Sequence, residues 1–204
     1  MSTTRAKAAT YEAYVALASE SRIVEWVGGE VVEHVPPTTR HQKMALFLAR
    51  LLATFVERGG LGEVFIAPYA MRLGPQGPVR EPDVLFVAQA HAERVKPDGL
   101  EGPADLVIEI LSQDSVARDR VDKFYEYEEA GVAEYWVIDP RPGHRQRAEF
   151  WVLGRDGTYA PVPVDDSGVY ASAVVPGLRL RRDWLFADPL PTVAAAYGEM
   201  EGAR

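Results

Sequence analysis

Two apolar strand-like runs joined by one helix constrain this chain more than any other feature. Residues 105–111 read "DLVIEIL" and residues 133–139 read "AEYWVID". Between them, "SVARDRVDKFYEYEEAG" has the pattern of a helix closed by Gly131. A strand, a helix and a second strand in this order form a crossover with two parallel strands in one sheet. The first strand also holds a carboxylate, Glu109, among Leu106, Val107, Ile108, Ile110 and Leu111. An ionised carboxylate in apolar surroundings costs several kcal/mol unless a proton, a cation or a metal compensates it. What can reach Glu109 therefore bears on fold and function together.

The rest of the chain surrounds this unit with strands and helices. Residues 10–19 read as a short helix after a threonine cap. "RIVEWVGGEVVEHV" is expected to form two strands around Gly28-Gly29, a two-residue hairpin signal. A largely apolar helix is expected from about residue 40 to 58, entered after Pro36-Pro37 and ended by Gly59-Gly60. "GEVFIAPYAMRL" reads as one strand, "GPQGP" as a loop and "REPDVLFV" as a second strand. Residues 88–104 read as a polar connection. "AEFWVLGRDGTYAPV" reads as a hairpin around Asp156-Gly157, followed by short strands near 169–181 and a helix near 190–200. The expected class is α/β (α+β): a mixed β-sheet flanked by helices, with β-hairpins added at the N- and C-terminal ends. A single domain spanning 1–204 is expected, with its core at about 40–140.

Composition narrows the function classes. With 204 residues, 47 % of them hydrophobic, the chain can bury a sizeable core. No run approaches the roughly 18 apolar residues of a membrane span, and the N-terminus lacks the apolar stretch of a signal peptide. A cytoplasmic protein is expected. The absence of cysteine removes disulfides, thiolate zinc sites and cysteine nucleophiles together. There is no asparagine, and arginine outnumbers lysine 18 to 4; this fits a thermophilic source, and a biased genome gives the same look. The net charge of −8 opposes nucleic-acid binding through bulk electrostatics, while leaving room for a local basic groove or a cation-filled acidic site.

A second acid lies in a similar setting. Asp83 in "PDVLFV" shares a strand face with Leu85 and Val87, and Glu109 shares one with Val107 and Leu111. On neighbouring strands the two acids can meet, and two close carboxylates repel unless they share a proton or a divalent cation. Hard oxygen donors of this kind suit Mg²⁺ or Mn²⁺, which polarise a phosphodiester and activate water. Lys123 follows Glu109 by 14 residues, in the crossover helix, flanked by Arg118 and Arg120. In a chain that prefers arginine, an amine here can shift its pKa and act on water. Asp119, Lys123 and Tyr127 stand at i, i+4 spacing, with Asp119 a natural partner for Lys123.

These residues resemble the PD-(D/E)XK nuclease superfamily, the restriction-endonuclease-like fold, and within it the Uma-type putative restriction endonuclease family. The matching pieces are "GGEVVEHVPP", "RHQ" at 40–42, "EPDVLFV", "DLVIEILSQDS", "RDRVDKFYEYEEAGVAEYWVIDP" and "GTY", over about residues 20–160. The resemblance implies a metal-dependent phosphodiesterase core with Asp83 and Glu109 as metal ligands; nucleic acid, DNA above all, is the substrate class expected of such a core. It implies that Glu33 and His41 lie near the site. The superfamily usually has lysine two positions after the second acid; Leu111 stands there, and the resemblance places the lysine at Lys123 instead.

Other readings of the same residues stay open at this level. Asp83 can cap a turn after proline, and Glu109 can pair with a core arginine. A nuclease fold kept as a binding or assembly module would also carry these features, and a metal-free glycoside hydrolase also uses two carboxylates. The crossover helix shows Ala117, Val121, Phe124 and Tyr125 on one side and Val116, Tyr127 and Ala130 on the other. One side can cover the chain's own sheet and the other a partner, so a homodimer or higher homo-oligomer is expected.

Overall fold

The crossover is where the sequence places it. A computed structural model describes residues 4–7, 10, 14, 24–27, 30–33, 37–111, 118–141 and 146–202. In chain order its strands are β1 (Thr4–Lys7), β2 (Val24–Val27), β3 (Glu30–Glu33), β4 (Gly62–Ile66), β5 (Met71–Arg72), β6 (Val79–Arg80), β7 (Val84–Ala88), β8 (Val95–Lys96), β9 (Gly99–Glu101), β10 (Leu106–Ile110), β11 (Glu134–Asp139), β12 (Arg147–Leu153), β13 (Tyr159–Pro161), β14 (Val169–Ala171) and β15 (Arg179–Arg181). Its α-helices are α1 (Thr39–Gly59), α2 (Arg118–Ala130) and α3 (Val193–Gly202). Strands β10 and β11 pair in parallel through α2, with Glu109 opposite Val137.

Six strands form the central sheet in the order β13-β12-β11-β10-β7-β4. Its other neighbouring pairs are antiparallel, so the sheet is mixed, as expected. A second sheet runs β1-β3-β2-β6-β5-β9-β8, and β14 pairs with β15. Alternation along β7, β10 and β11 splits their side chains between two cores. Val84, Phe86, Leu106, Ile108, Ile110, Trp136 and Ile138 face α1 and the C-terminal elements. Leu85, Val87, Val107, Tyr135 and Val137 face α2 and the second sheet, where Tyr127, Met71 and Leu100 meet them. Glu109 shares this second face with Val107.

Local chemistry ends the helices where the sequence predicts. Thr38 caps α1, its hydroxyl accepting from the His41 N–H at 3.3 Å. Gly60 closes α1 in the left-handed region at φ 58°, a conformation that costs a glycine little. Arg40 in the first turn donates to the Leu185 and Ala187 carbonyls, both at 3.1 Å, tying the helix start to a 3-10 helix at Arg182–Phe186. Strands β2 and β3 pair antiparallel as expected, with Val27 opposite Glu30.

Three segments differ from expectation or fall outside the description. "GEVFIAPYAMRL" is not one strand: it breaks between β4 and β5, which lie in different sheets. Pro68, without an N–H to donate, stands at the break. The connection at 88–104 is structured, holding a 3-10 helix at Gln89–Arg94 and strands β8 and β9. Asp105 pins its far end, accepting from the Ala88 N–H at 2.7 Å and pairing with His91 Nδ1 at 2.8 Å. Of the helix expected at 10–19, Thr10 and Tyr14 alone lie within the described residues, and Tyr14 is helical and buried. No helix among the described residues is long and apolar enough to cross a membrane.

The C-terminal hairpin is fastened to the central sheet by one buried acid. Glu134, at the start of β11, accepts from Trp136 Nε1 at 2.6 Å, Tyr170 OH at 2.8 Å and Ser172 Oγ at 2.8 Å. It also accepts from the N–H groups of Ala173 and Val174 at 2.7 and 2.9 Å. Five donors converge on a carboxylate that has no donor of its own, and an amide in its place would turn an N–H₂ toward them. Glu134→Gln is therefore expected to destabilise the fold by about 3 kcal/mol, the cost of leaving buried donors unpaired. Urea unfolding measures it, and an unchanged midpoint would refute this account of the hairpin's attachment.

Candidate functional site

The two sheets meet at a short junction, and the junction carries acid. Strand β6 of the second sheet passes through Glu81, Pro82 and Asp83 into β7 of the central sheet. Strand β7 runs antiparallel to β10, with Val84 opposite Ile108. One residue further along the same register, Asp83 comes opposite Glu109, and opposed residues share a sheet face. The backbone of β10 holds Asp83 directly, the Ile110 N–H donating to Oδ2 at 2.7 Å.

Helix α2 supplies the cation. Lys123 Nζ donates to Glu109 Oε1 at 2.9 Å and lies 3.1 Å from Glu25 Oε1. One turn on, Tyr127 OH donates to the same Glu109 oxygen at 2.8 Å. From the first turn of α1, His41 Nε2 reaches Asp83 Oδ1 at 3.1 Å. The second sheet closes the far side. Arg80 Nη1 donates to Glu25 Oε2 at 2.9 Å, and the Glu81 N–H donates to Glu25 Oε1 at 3.2 Å. The Arg80 fork also takes both oxygens of Glu126, at 2.7 and 2.9 Å. Charges thus alternate along Glu109, Lys123, Glu25, Arg80 and Glu126.

Burial and charge work against each other throughout this cluster. Burial raises the Glu109 pKa, Lys123 pulls it down, and the charges of Asp83 and Glu25 push it up; the net is upward. Burial alone would lower the pKa of Lys123, but the charges of Glu109 and Glu25 outweigh it and hold Lys123 as an ammonium. Tyr127 is pushed well up by burial and by the same two acids, so its hydroxyl keeps its proton and donates it to Glu109. For His41 burial opposes the proton, while the hydrogen bond and charge of Asp83, with the charge of Glu109, favour it; the net is upward.

Asp83 and Glu109 are the donors a hard divalent cation would take. They press like charges together on one face, and Asp83 is the acid open to solvent, 18 % exposed against 2 % for Glu25. Both described hydrogen bonds to Glu109 land on Oε1. Among the described residues no group of three or more histidines and acids closes into a protein cage. Two carboxylates completed by water and a substrate oxygen fit Mg²⁺ or Mn²⁺.

Four of the five residues singled out in the sequence therefore converge: Asp83, Glu109, Lys123 and His41. Glu33 ends β3, paired with Val24, and its side chain lies outside the described residues, as do those of Asp119, Ser112 and Asp114. The described partners of Lys123 are Glu109 and Glu25, and Glu109 pairs with this lysine rather than with an arginine. Glu25, Arg80 and the hydroxyl of Tyr127 were not legible as site residues. The one signal for Glu25 was an acid between Val24 and Trp26, the same pattern that marks Glu109.

Residues 11–183 match the family Uma2, described as "Putative restriction endonuclease". Among solved structures, the chain is similar to a "putative nuclease belonging to DUF820" from Anabaena variabilis, with a TM-score of 0.55 and 14 % identity. The match covers 87 % of this chain and 90 % of that one. At this identity the likeness is one of fold. No curated protein matches the chain.

The His41 pair generates a pH dependence with a definite sign. A group whose folded pKa lies above its unfolded value contributes stability that is fully present below the unfolded pKa, here 6.5. That contribution is lost as pH rises through the higher folded value. In metal-free protein, the stability lost in His41→Gln is expected to be larger near pH 5.5, about 1 unit below the unfolded value, than near pH 9, about 2.5 units above it. Urea unfolding of both proteins at the two pH values checks this, and an equal loss at both would show that the imidazole is bound neutral.

Proposed function

Because the chain belongs to the Uma2 family of putative restriction endonucleases, we propose that it is a metal-dependent nuclease that hydrolyses phosphodiester bonds in DNA, working as one restriction-endonuclease-like domain over residues 1–204. The observation that carries the reading is the placement of the Lys123 ammonium 2.9 Å from Glu109, with Asp83 across the register on the same face. Leu111 stands where the superfamily lysine is usual, which favours an inactive binding module. The helix-borne lysine answers it by bringing an amine to the same carboxylate.

Asp83 and Glu109 hold Mg²⁺ or Mn²⁺ in this reading. Held there, the ion would supply Lewis-acid polarisation of the phosphate. It also offsets the acids of a −8 chain, so that a phosphate can approach. Lys123, kept protonated by two carboxylates, acts as a fixed positive charge facing the developing phosphorane rather than as a base. Tyr127 fixes the Glu109 carboxylate and Ile110 N–H fixes that of Asp83. His41 orients Asp83, and Glu33 is the remaining candidate near the site.

The test separates metal binding from turnover. Asp83→Asn and Glu109→Gln are each expected to lose Mn²⁺ binding by calorimetry and cleavage of a DNA substrate, about 10²-fold or more in rate. Lys123→Ala is expected to lose turnover and keep Mn²⁺ affinity. Unchanged Mn²⁺ affinity in both acid variants would remove the metal assignment.

The same reading takes the working form as a homo-oligomer. Val121 and Tyr125, on the outer side of α2, are 52 % and 61 % exposed and border a cavity of about 360 Å³ with Phe124 and Trp151. A second copy covering this apolar side doubles the mass of 22.5 kDa. Light scattering at micromolar concentration reads it directly, and a monomer mass would refute it.

A further inference from the structure

We propose that Glu25 is a positioning residue for Lys123: a second carboxylate that keeps the ammonium in place when Glu109 is shared with a cation. This rests on the nuclease reading above. Lys123 Nζ has two carboxylate acceptors, Glu109 Oε1 at 2.9 Å and Glu25 Oε1 at 3.1 Å. A carboxylate that ligates a divalent ion gives up part of its charge to it, and its hold on an ammonium weakens. Glu25 is free of that competition. Its side chain is 2 % exposed, so it acts through its neighbours.

Glu25 is also held without help from Lys123. Arg80 grips Oε2 at 2.9 Å and the Glu81 N–H reaches Oε1 at 3.2 Å. Arg80 is locked in turn by both oxygens of Glu126, on the same helix as Lys123. The acceptor is therefore preorganised by the second sheet before metal or substrate arrives. Strand β2 reaches the site through the Glu25 side chain, which gives the second sheet a part in the chemistry beyond covering the core.

Glu25→Gln keeps the shape and an acceptor for Arg80 while removing the charge facing Lys123. It is expected to lower kcat about 10- to 100-fold, the usual effect of losing a partner that orients a site residue. KM and Mn²⁺ affinity are expected to stay within about twofold, since neither metal ligand is touched. The four lysines allow a readout independent of cleavage. In ¹⁵N-lysine-labelled protein the Lys123 ammonium is expected to be protected from hydrogen exchange, and Glu25→Gln to speed its exchange about tenfold or more. A purely structural Glu25 would lower the unfolding midpoint and leave both kcat and the ammonium signal unmoved, and that result would overturn the proposal. If Glu25→Gln does not fold, Glu25→Asp serves: it keeps the charge against Arg80 but draws the carboxylate back by one methylene, and wild-type kcat and exchange in it overturn the proposal equally. Failure of the nuclease reading shows separately, as an inactive wild type with no Mn²⁺ site.

Discussion

A buried carboxylate on the central strand must be neutralised, and the surrounding structure is arranged to do so. Glu109 lies in a strand whose five residues are all buried, where an uncompensated charge costs several kcal/mol. Lys123 and Tyr127 answer it from one turn of α2. The lysine is then itself a buried charge and needs more than half of one carboxylate, so Glu25 joins it, and Arg80 and Glu126 follow. Removing any single partner would strand the next. The α2 helix is thereby bound to the sheet it crosses by charge as well as by apolar packing.

The register decides which acid faces outward. Antiparallel pairing of β7 with β10 brings Asp83 opposite Glu109, at the point where the chain leaves the second sheet for the central one. Asp83 keeps some exposure and is held by a backbone N–H and a histidine. Glu25, held by Arg80 and Lys123, is sealed inside. Three acids of similar chemistry thus differ in depth: Asp83 is the most open to solvent, Glu109 meets Lys123 and Tyr127, and Glu25 lies deepest, between Lys123 and Arg80.

The apolar patterns and punctuation of the chain carried the fold a long way. The "DLVIEIL" and "AEYWVID" runs, with Gly131 between them, determined a parallel crossover, and Pro36-Pro37 with Gly59-Gly60 marked the limits of α1. These are local effects: side-chain periodicity, a proline pair before a helix start, a glycine free to adopt positive φ. Where a segment changes sheets, as between β4 and β5, periodicity carries no signal, because both halves alternate in the same way. The strands at 95–101 were missed for a related reason: they are two and three residues long, too short to show alternation.

Asp83, Glu109, Lys123 and His41 were marked by the sequence because each breaks a local rule or matches a family pattern: an acid in an apolar strand, a lysine in an arginine-rich chain, a histidine in the matching "RHQ". Tertiary structure alone decided that Lys123 has two carboxylates rather than one, that Arg80 and Glu126 support the second, and that Tyr127 turns its hydroxyl inward. Glu25 is 84 residues before Glu109 by their numbering, on a hairpin whose polar residues ordinarily face water. No local preference of β2 distinguishes a solvated glutamate from a buried one. The difference arises only when a second sheet folds against α2 and removes the water, leaving Arg80 and Lys123 to hold the charge in its place.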